Sequence, residues 1–367
     1  MQLHRNVNLH LKNNKLFMRY FYLILPAICL FLSSTCNGLQ PSSECEWQPE
    51  SRIKGLSFTA PPKPFPENPM PAVQAVNADW IAVIPYGFTR PAKAHVSFNI
   101  DWQWWGEKTE GVVSTIETAH TAELKVMLKP QVYIPGGWVG DLDFDKDSDW
   151  QAWEKDYETY ILTMAEIADS LQVEMFCVGT EFRKSVSKRP QFWHQLIRKI
   201  RDIYDNKLTY SANWDDYENI SFWNEMDYIG INAYFPLIDD KTPSISNLQK
   251  SLKSYINKIQ RFACRQNKPI LFTEYGYLSV DKCAYNTWEL EAEIKQLPIN
   301  EQAQANAIEA LLTELKQYDW WAGGFLWKWF PNGEGGEGYN YRDYTPQGKK
   351  AEQILKECYQ NLDTKDT

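Results

Sequence analysis

Several chemistries are excluded by what this chain lacks. No glycine-rich phosphate-binding motif occurs in its 367 residues, so nucleotide-dependent chemistry has no signature to rest on. No Cys or His spacing follows a zinc pattern and no His/carboxylate cluster suggests another metal, so neither metal nor cofactor is expected. No internal repeat is visible, and nothing suggests an attached binding module. An excess of positive charge is missing too. The net charge of -9 argues against nucleic acid or anionic polymers as partners and is neutral toward uncharged ones.

Long apolar runs are also missing, apart from residues 21–32. That run is too short to span a bilayer and follows a basic stretch ending at Arg19, which is the pattern of a signal-peptide core, with Met18 a plausible true start. Ser33-Ser34-Thr35-Cys36 resembles a relaxed lipobox, departing from it at Ser33 where Leu is usual. Residues 1–36 are therefore expected to be an export signal with Cys36 as a lipid anchor, and residues 37–51 a Ser/Glu/Pro-rich tether. The protein is expected at the cell surface or in the periplasm as a lipoprotein; the alternative is ordinary secretion. Residues 52–360 remain as one domain of ordinary barrel size, expected to be monomeric. Beyond Cys29 and Cys36, the cysteines are Cys45, Cys177, Cys264, Cys283 and Cys358, an odd number that argues against a full disulfide framework. For Cys264 and Cys283 the alternatives are a bridge and free buried thiols.

What the chain does contain is eight strand-like runs at fairly even spacing: 55–59, 80–86, 125–133, 174–181, 208–214, 228–234, 269–275 and 323–329. They are mostly continuous apolar stretches, as parallel strands covered by helices should be. After Asp147-Ser148-Asp149, read as an N-cap cluster, Trp153, Tyr157, Ile161, Met164, Ala168 and Leu171 recur at helical spacing. Phe192, Leu196, Ile200 and Ile203 repeat the pattern, and further helices are expected at 245–263 and 302–315. Eight strands with interleaved helices predict an α/β fold, a single (β/α)8 TIM barrel.

Two of the runs, Cys177-Val178-Gly179-Thr180-Glu181 and Leu271-Phe272-Thr273-Glu274, end in a glutamate. A strand core does not hold a carboxylate without strong compensation, so each should emerge into the cleft at the carboxyl end of the barrel. The alternative reading pairs each with a neighbouring cation, Arg183 for the first. Two facing carboxyls are the working parts of a glycosidase; about 5 to 5.5 Å apart, one attacks the anomeric carbon while the other protonates the leaving oxygen. Glu181 is then the acid, its pKa raised by apolar neighbours and by the charge of Glu274. Tyr234, ending the sixth run, is placed to donate to Glu274; its alternative is core packing.

The wording of the chain resembles clan A glycoside hydrolases, and within them family 113. The matching phrases are Leu128-Lys129-Pro130, Gly179-Thr180-Glu181, Leu208-Thr209-Tyr210-Ser211-Ala212-Asn213-Trp214, Asp227-Tyr228-Ile229-Gly230-Ile231-Asn232-Ala233-Tyr234-Phe235-Pro236-Leu237, Phe272-Thr273-Glu274-Tyr275-Gly276-Tyr277 and Gly323-Gly324-Phe325-Leu326-Trp327. The resemblance implies a (β/α)8 enzyme, β-1,4-mannanase activity, Glu181 as acid/base at the end of strand four and Glu274 as nucleophile at the end of strand seven. Much of the clan carries Asn before the acid/base and uses it on the sugar 2-hydroxyl. Thr180 stands there, as in family 113, and is short for that contact, which leaves Asn213 or Asn232 to make it. Gln131 stands where many relatives have His.

Sixteen Trp and twenty Tyr supply sugar platforms as well as core. Trp102, Trp104 and Trp105 follow strand two in a polar loop, where sugar stacking is expected over loop packing. Trp214 and Trp327 at strand ends, Tyr277 just beyond Glu274, and Trp138 and Trp288 in loops are further candidates. Lys129 is expected to reach the cleft mouth; its alternative is a salt bridge to a barrel acid. The loop 331–339, with Glu334 and Glu337 among four glycines, reads as a solvated connector rather than a lid. The expected function is a retaining glycoside hydrolase acting on mannan-type polysaccharides or manno-oligosaccharides. The alternatives are a clan A hydrolase of another neutral β-glycan and, further off, a non-catalytic glycan-binding lipoprotein.

Overall fold

The computed structural model describes residues 51–333 and 340–364. The expected signal, Cys36, the tether up to Glu50, and Glu334 and Glu337 lie outside them. Eight parallel strands close into a barrel: β1 (Ile53–Phe58), β2 (Trp80–Val83), β3 (Lys125–Leu128), β4 (Met175–Thr180), β5 (Lys207–Asn213), β6 (Tyr228–Asn232), β7 (Ile270–Tyr275) and β8 (Trp321–Trp329). Each predicted run contributes one of them. Runs two and three are shorter than expected because Pro85 and Pro130 interrupt them: without an N–H, proline cannot continue the ladder. Beyond these prolines, Tyr86–Phe88 and Gln131–Tyr133 pair with each other as a separate parallel ribbon above the rim.

Ile53, Ala82, Met127, Met175, Cys177, Leu271 and Phe325 fill the barrel interior, and the larger apolar cluster lies between strands and helices. The amphipathic helices appear where the periodicity placed them, at Asp147–Ser170, Pro190–Arg201, Ile245–Gln266 and Glu301–Leu315. The first begins earlier than expected. Its N-cap is Lys146, without a side-chain cap, and Asp147 and Asp149 occupy the first turn, where they favour the positive end of the helix dipole. Between β5 and β6 only two short 3-10 turns occur, with Tyr217, Phe222 and Trp223 buried where a helix would otherwise cover the barrel. Cys264 and Cys283 do not form a bridge with each other: Cys283 is a free buried thiol, whereas Cys264 is disulfide-bonded. Cys177 and Cys358 are free as well.

Candidate active site

Strict strand alternation from Cys177 carries Glu181 inward, but from Leu271 it would turn Glu274 outward. Leu271 fills the barrel and Tyr275 packs outward, its hydroxyl 2.7 Å from that of Tyr359, yet Glu274 turns to the interior. The register of β6 against β7 shifts between Ile231 and Asn232, so Asn232 faces Glu274. A second irregularity on β4, between Cys177 and Thr180, precedes Glu181. Bulges of this kind re-aim side chains beside active sites. Glu181 itself sits at φ +56°, a left-handed conformation costing on the order of 1 kcal/mol for a residue with a Cβ. Two backbone bonds hold it there: Glu181 N donates to Ser211 O, and Arg183 N to Glu181 O, both at 2.8 Å. Gly179 lets the aromatic wall approach, since a Cβ there would lie 2.8 Å from the Trp193 ring.

Glu181 accepts two hydrogen bonds, from Trp138 Nε1 to Oε2 at 2.6 Å and from Asn232 Nδ2 to Oε1 at 2.9 Å. Asn232 is committed to this task, because its own Oδ1 accepts from Ser211 Oγ (2.7 Å) and Thr273 Oγ1 (3.0 Å). Burial raises the Glu181 pKa, and the nearby charge of Glu274 raises it further; the bonds from Trp138 and Asn232 oppose both. These are the causes expected from the sequence. Arg183 does not pair with Glu181. It forms ion pairs with Asp215 and Asp216 and lies 4.8 Å over the Trp138 ring.

Glu274, only 6 % exposed, has a different environment. Tyr234 donates to Oε2 at 2.8 Å, and Gln131 Nε2 donates to Oε1 at 2.9 Å. Lys129 forms an ion pair with the same Oε1. The expectation that Lys129 reaches the cleft mouth is corrected: its side chain is fully buried. Two residues on from Met127, it shares the inward face of its strand and caps the barrel filling. The Tyr234 hydroxyl is held protonated by burial and by the charge of Glu274, and so acts as a donor.

The remaining candidates separate. Asn213 lies half-buried at the end of β5, its Oδ1 accepting from Trp214 N (2.8 Å), and its Nδ2 makes no hydrogen bond among the described residues. With Asn232 committed, Asn213 is the better placed of the two for a sugar hydroxyl. Trp214 stacks on Trp288, with centroids 6.0 Å apart and planes at 23°, and Trp327 is half-buried against the barrel filling. Trp102 and Trp104 are exposed, whereas Trp105 packs edge-on against Phe65. Tyr277 is a correction: its ring is 1 % exposed and packs within the core rather than facing the cleft. Sequence reasoning missed the roles of Trp138 and Gln131. Gln131 was within reach, since it stands two residues from Lys129 and both meet the same Glu274 oxygen; nothing in the sequence ties Trp138 to Glu181.

One asymmetry decides the chemistry available here. Glu274 faces a buried cation and two further donors, which suit a carboxylate, while Glu181 is desolvated and lies close to a second negative charge, which suits a proton carrier. The profile of Glycoside Hydrolase Family 113 matches residues 63–349. The chain belongs to that family. It is similar to the structure of a complex of a GH113 β-1,4-mannanase, at 25% identity and TM-score 0.70, covering 84% of this chain and 99% of that one. A GH113 β-mannanase from Alicyclobacillus acidocaldarius, bound to ManMIm, shares the fold at 23% identity and TM-score 0.72, over 85% of this chain and 98% of that one. A β-glucuronidase from Faecalibacterium prausnitzii shares the barrel at 14% identity and TM-score 0.57, over 86% of this chain and half of its own. No curated protein matches the chain. As a family 113 member, the protein is a glycoside hydrolase.

For this hydrolase the Trp138 bond gives a testable sign. The indole N–H stabilises ionised Glu181, so Trp138→Phe should raise the Glu181 pKa further and, with Glu181 in the role of acid, move the alkaline limb of the kcat/KM profile to higher pH. Glu274 and Lys129, the charges that act on Glu181, stay in place. The acid limb should therefore stay where it is, and a variant with both limbs unmoved would remove the role given to Trp138.

Proposed function

We propose that this family 113 hydrolase is a retaining β-mannanase, cleaving β-1,4-mannosidic bonds with Glu274 as nucleophile and Glu181 as acid/base. The observation that carries the reading is the unequal environment of the two carboxyls. Glu274 attacks the anomeric carbon as the glycosidic C–O bond breaks, and Glu181 gives its proton to the leaving oxygen. Water then attacks the glycosyl-enzyme carbon, Glu181 takes the water proton, and Glu274 is released with the starting configuration restored at the sugar. Tyr234, Gln131 and Lys129 hold Glu274 throughout. Asn213, Trp214 and Trp327 at the strand ends are the proposed sugar contacts nearest the cleaved bond.

The mannan preference is supported by the family and by the β-1,4-mannanase likeness at 25% identity. We also infer an exported chain, anchored at Cys36 or secreted, and monomeric; the disulfide at Cys264 fits an oxidising compartment. Purified enzyme assayed on β-mannan, glucomannan, cellulose and mixed-linkage glucan tests the substrate. Release of manno-oligosaccharides from pure mannan is expected; turnover of pure glucan with mannan untouched would overturn the mannan assignment and leave the carboxylate roles intact.

A further inference from the structure

The ribbon above the rim holds a feature that the cleavage chemistry does not use. Its register pairs Tyr86 with Gln131, Gly87 with Val132 and Phe88 with Tyr133. Side chains alternate along a strand, so Tyr86, Phe88, Gln131 and Tyr133 share one face, while Gly87 and Val132 are buried on the other. The rings on that face form a chain: Tyr86 to Tyr133 at 6.5 Å, Tyr133 to Phe88 at 6.0 Å, Phe88 to Trp102 at 4.6 Å, each edge-on. At one end Gln131 donates to Glu274; at the other Trp102 is 59 % exposed, and Tyr133 between them is 50 % exposed. The loop that carries Trp102 is pinned to the ribbon, Gln103 Nε2 donating to Tyr86 O at 2.7 Å and Gln103 Oε1 accepting from Ile100 N at 3.0 Å.

We propose that Tyr86, Tyr133, Phe88 and Trp102 form one platform, on which the uncharged sugar chain of a β-linked glycan continues beyond the bond that is cleaved. The proposal rests on the glycosidase reading above and gives the site an extended substrate. Exposed aromatic rings cost solvation unless something covers them, and this strip begins at the nucleophile's own hydrogen-bond partner. Its four side chains carry no ionic charge, which suits a neutral polymer. It also replaces the grouping expected from sequence: Trp102 belongs to the platform through Phe88, whereas Trp105 is turned to Phe65.

Trp102→Ala, Tyr133→Ala and Tyr133→Phe test this, with kcat/KM measured on mannohexaose and on the shortest oligosaccharide the enzyme cleaves. Loss of a stacked ring should lower kcat/KM on the long substrate about 10-fold or more, and less than about 2-fold on the short one, because the contact is remote from the reacting carbon. Tyr133→Phe keeps the ring and should behave as wild type. Equal losses on both substrates, or kinetics unchanged with a lowered unfolding midpoint, would make these rings packing residues and overturn the platform. If the wild-type enzyme prefers cello-oligosaccharides, the same comparison in that series keeps the platform's failure distinct from failure of the mannan assignment.

Discussion

Glu274→Ala should lower kcat by more than about 10⁴-fold, the order of loss that follows removal of a nucleophile. It should also weaken the fold, although Glu274 belongs to a catalytic cleft. Lys129 is fully buried against it, and stripping one partner from a buried pair costs about 3–5 kcal/mol because the other charge is left uncompensated. Glu274→Gln keeps the volume and an acceptor oxygen, so it should lose as much turnover but less stability. Steady-state assays and thermal unfolding of the two variants check both effects. Retention of more than a few per cent of activity by either would mean that another carboxylate attacks the sugar.

Glu181→Ala should show the opposite combination. On mannan, loss of the general acid should cost about 10²- to 10⁴-fold, whereas aryl mannosides with good leaving groups need little protonation and should still form the covalent intermediate. Hydrolysis of that intermediate then lacks its base, so a burst followed by slow turnover is expected, and a small anionic nucleophile such as azide should restore the rate. Because burial and the nearby charge make ionised Glu181 costly, removing the carboxyl should leave stability at neutral pH unchanged or raised. Uniform loss across leaving groups would argue against the acid assignment.

The barrel was legible because parallel strands covered by helices must be apolar throughout, and eight such runs stand in order in the chain. Pro85 and Pro130 carried further information, since each marks the point where a barrel strand ends and the aromatic ribbon begins. The two glutamates were legible as carboxylates ending apolar strands, and Tyr234 by its place at the end of β6. The register shift that turns Glu274 inward and the irregularity that precedes Glu181 left no trace in the residue pattern, since they arise from register between neighbouring strands. The same holds for Trp138, whose loop meets Glu181 across 43 positions of sequence; Lys129 was expected at the cleft mouth, and it is the alternative, a salt bridge to a barrel acid, that the structure holds. Tyr277 misled for the reverse reason: nearness to Glu274 in sequence does not fix which side of the strand end a ring occupies.

The central claim, a covalent double displacement through Glu274, is tested most directly by trapping. Wild-type enzyme treated with a 2-deoxy-2-fluoro-mannosyl donor bearing a good leaving group should gain the mass of one fluorosugar, and peptide mapping should place it on Glu274. A label on a different carboxylate, or turnover of the donor with no adduct and with inversion at the anomeric carbon, would contradict the assignment.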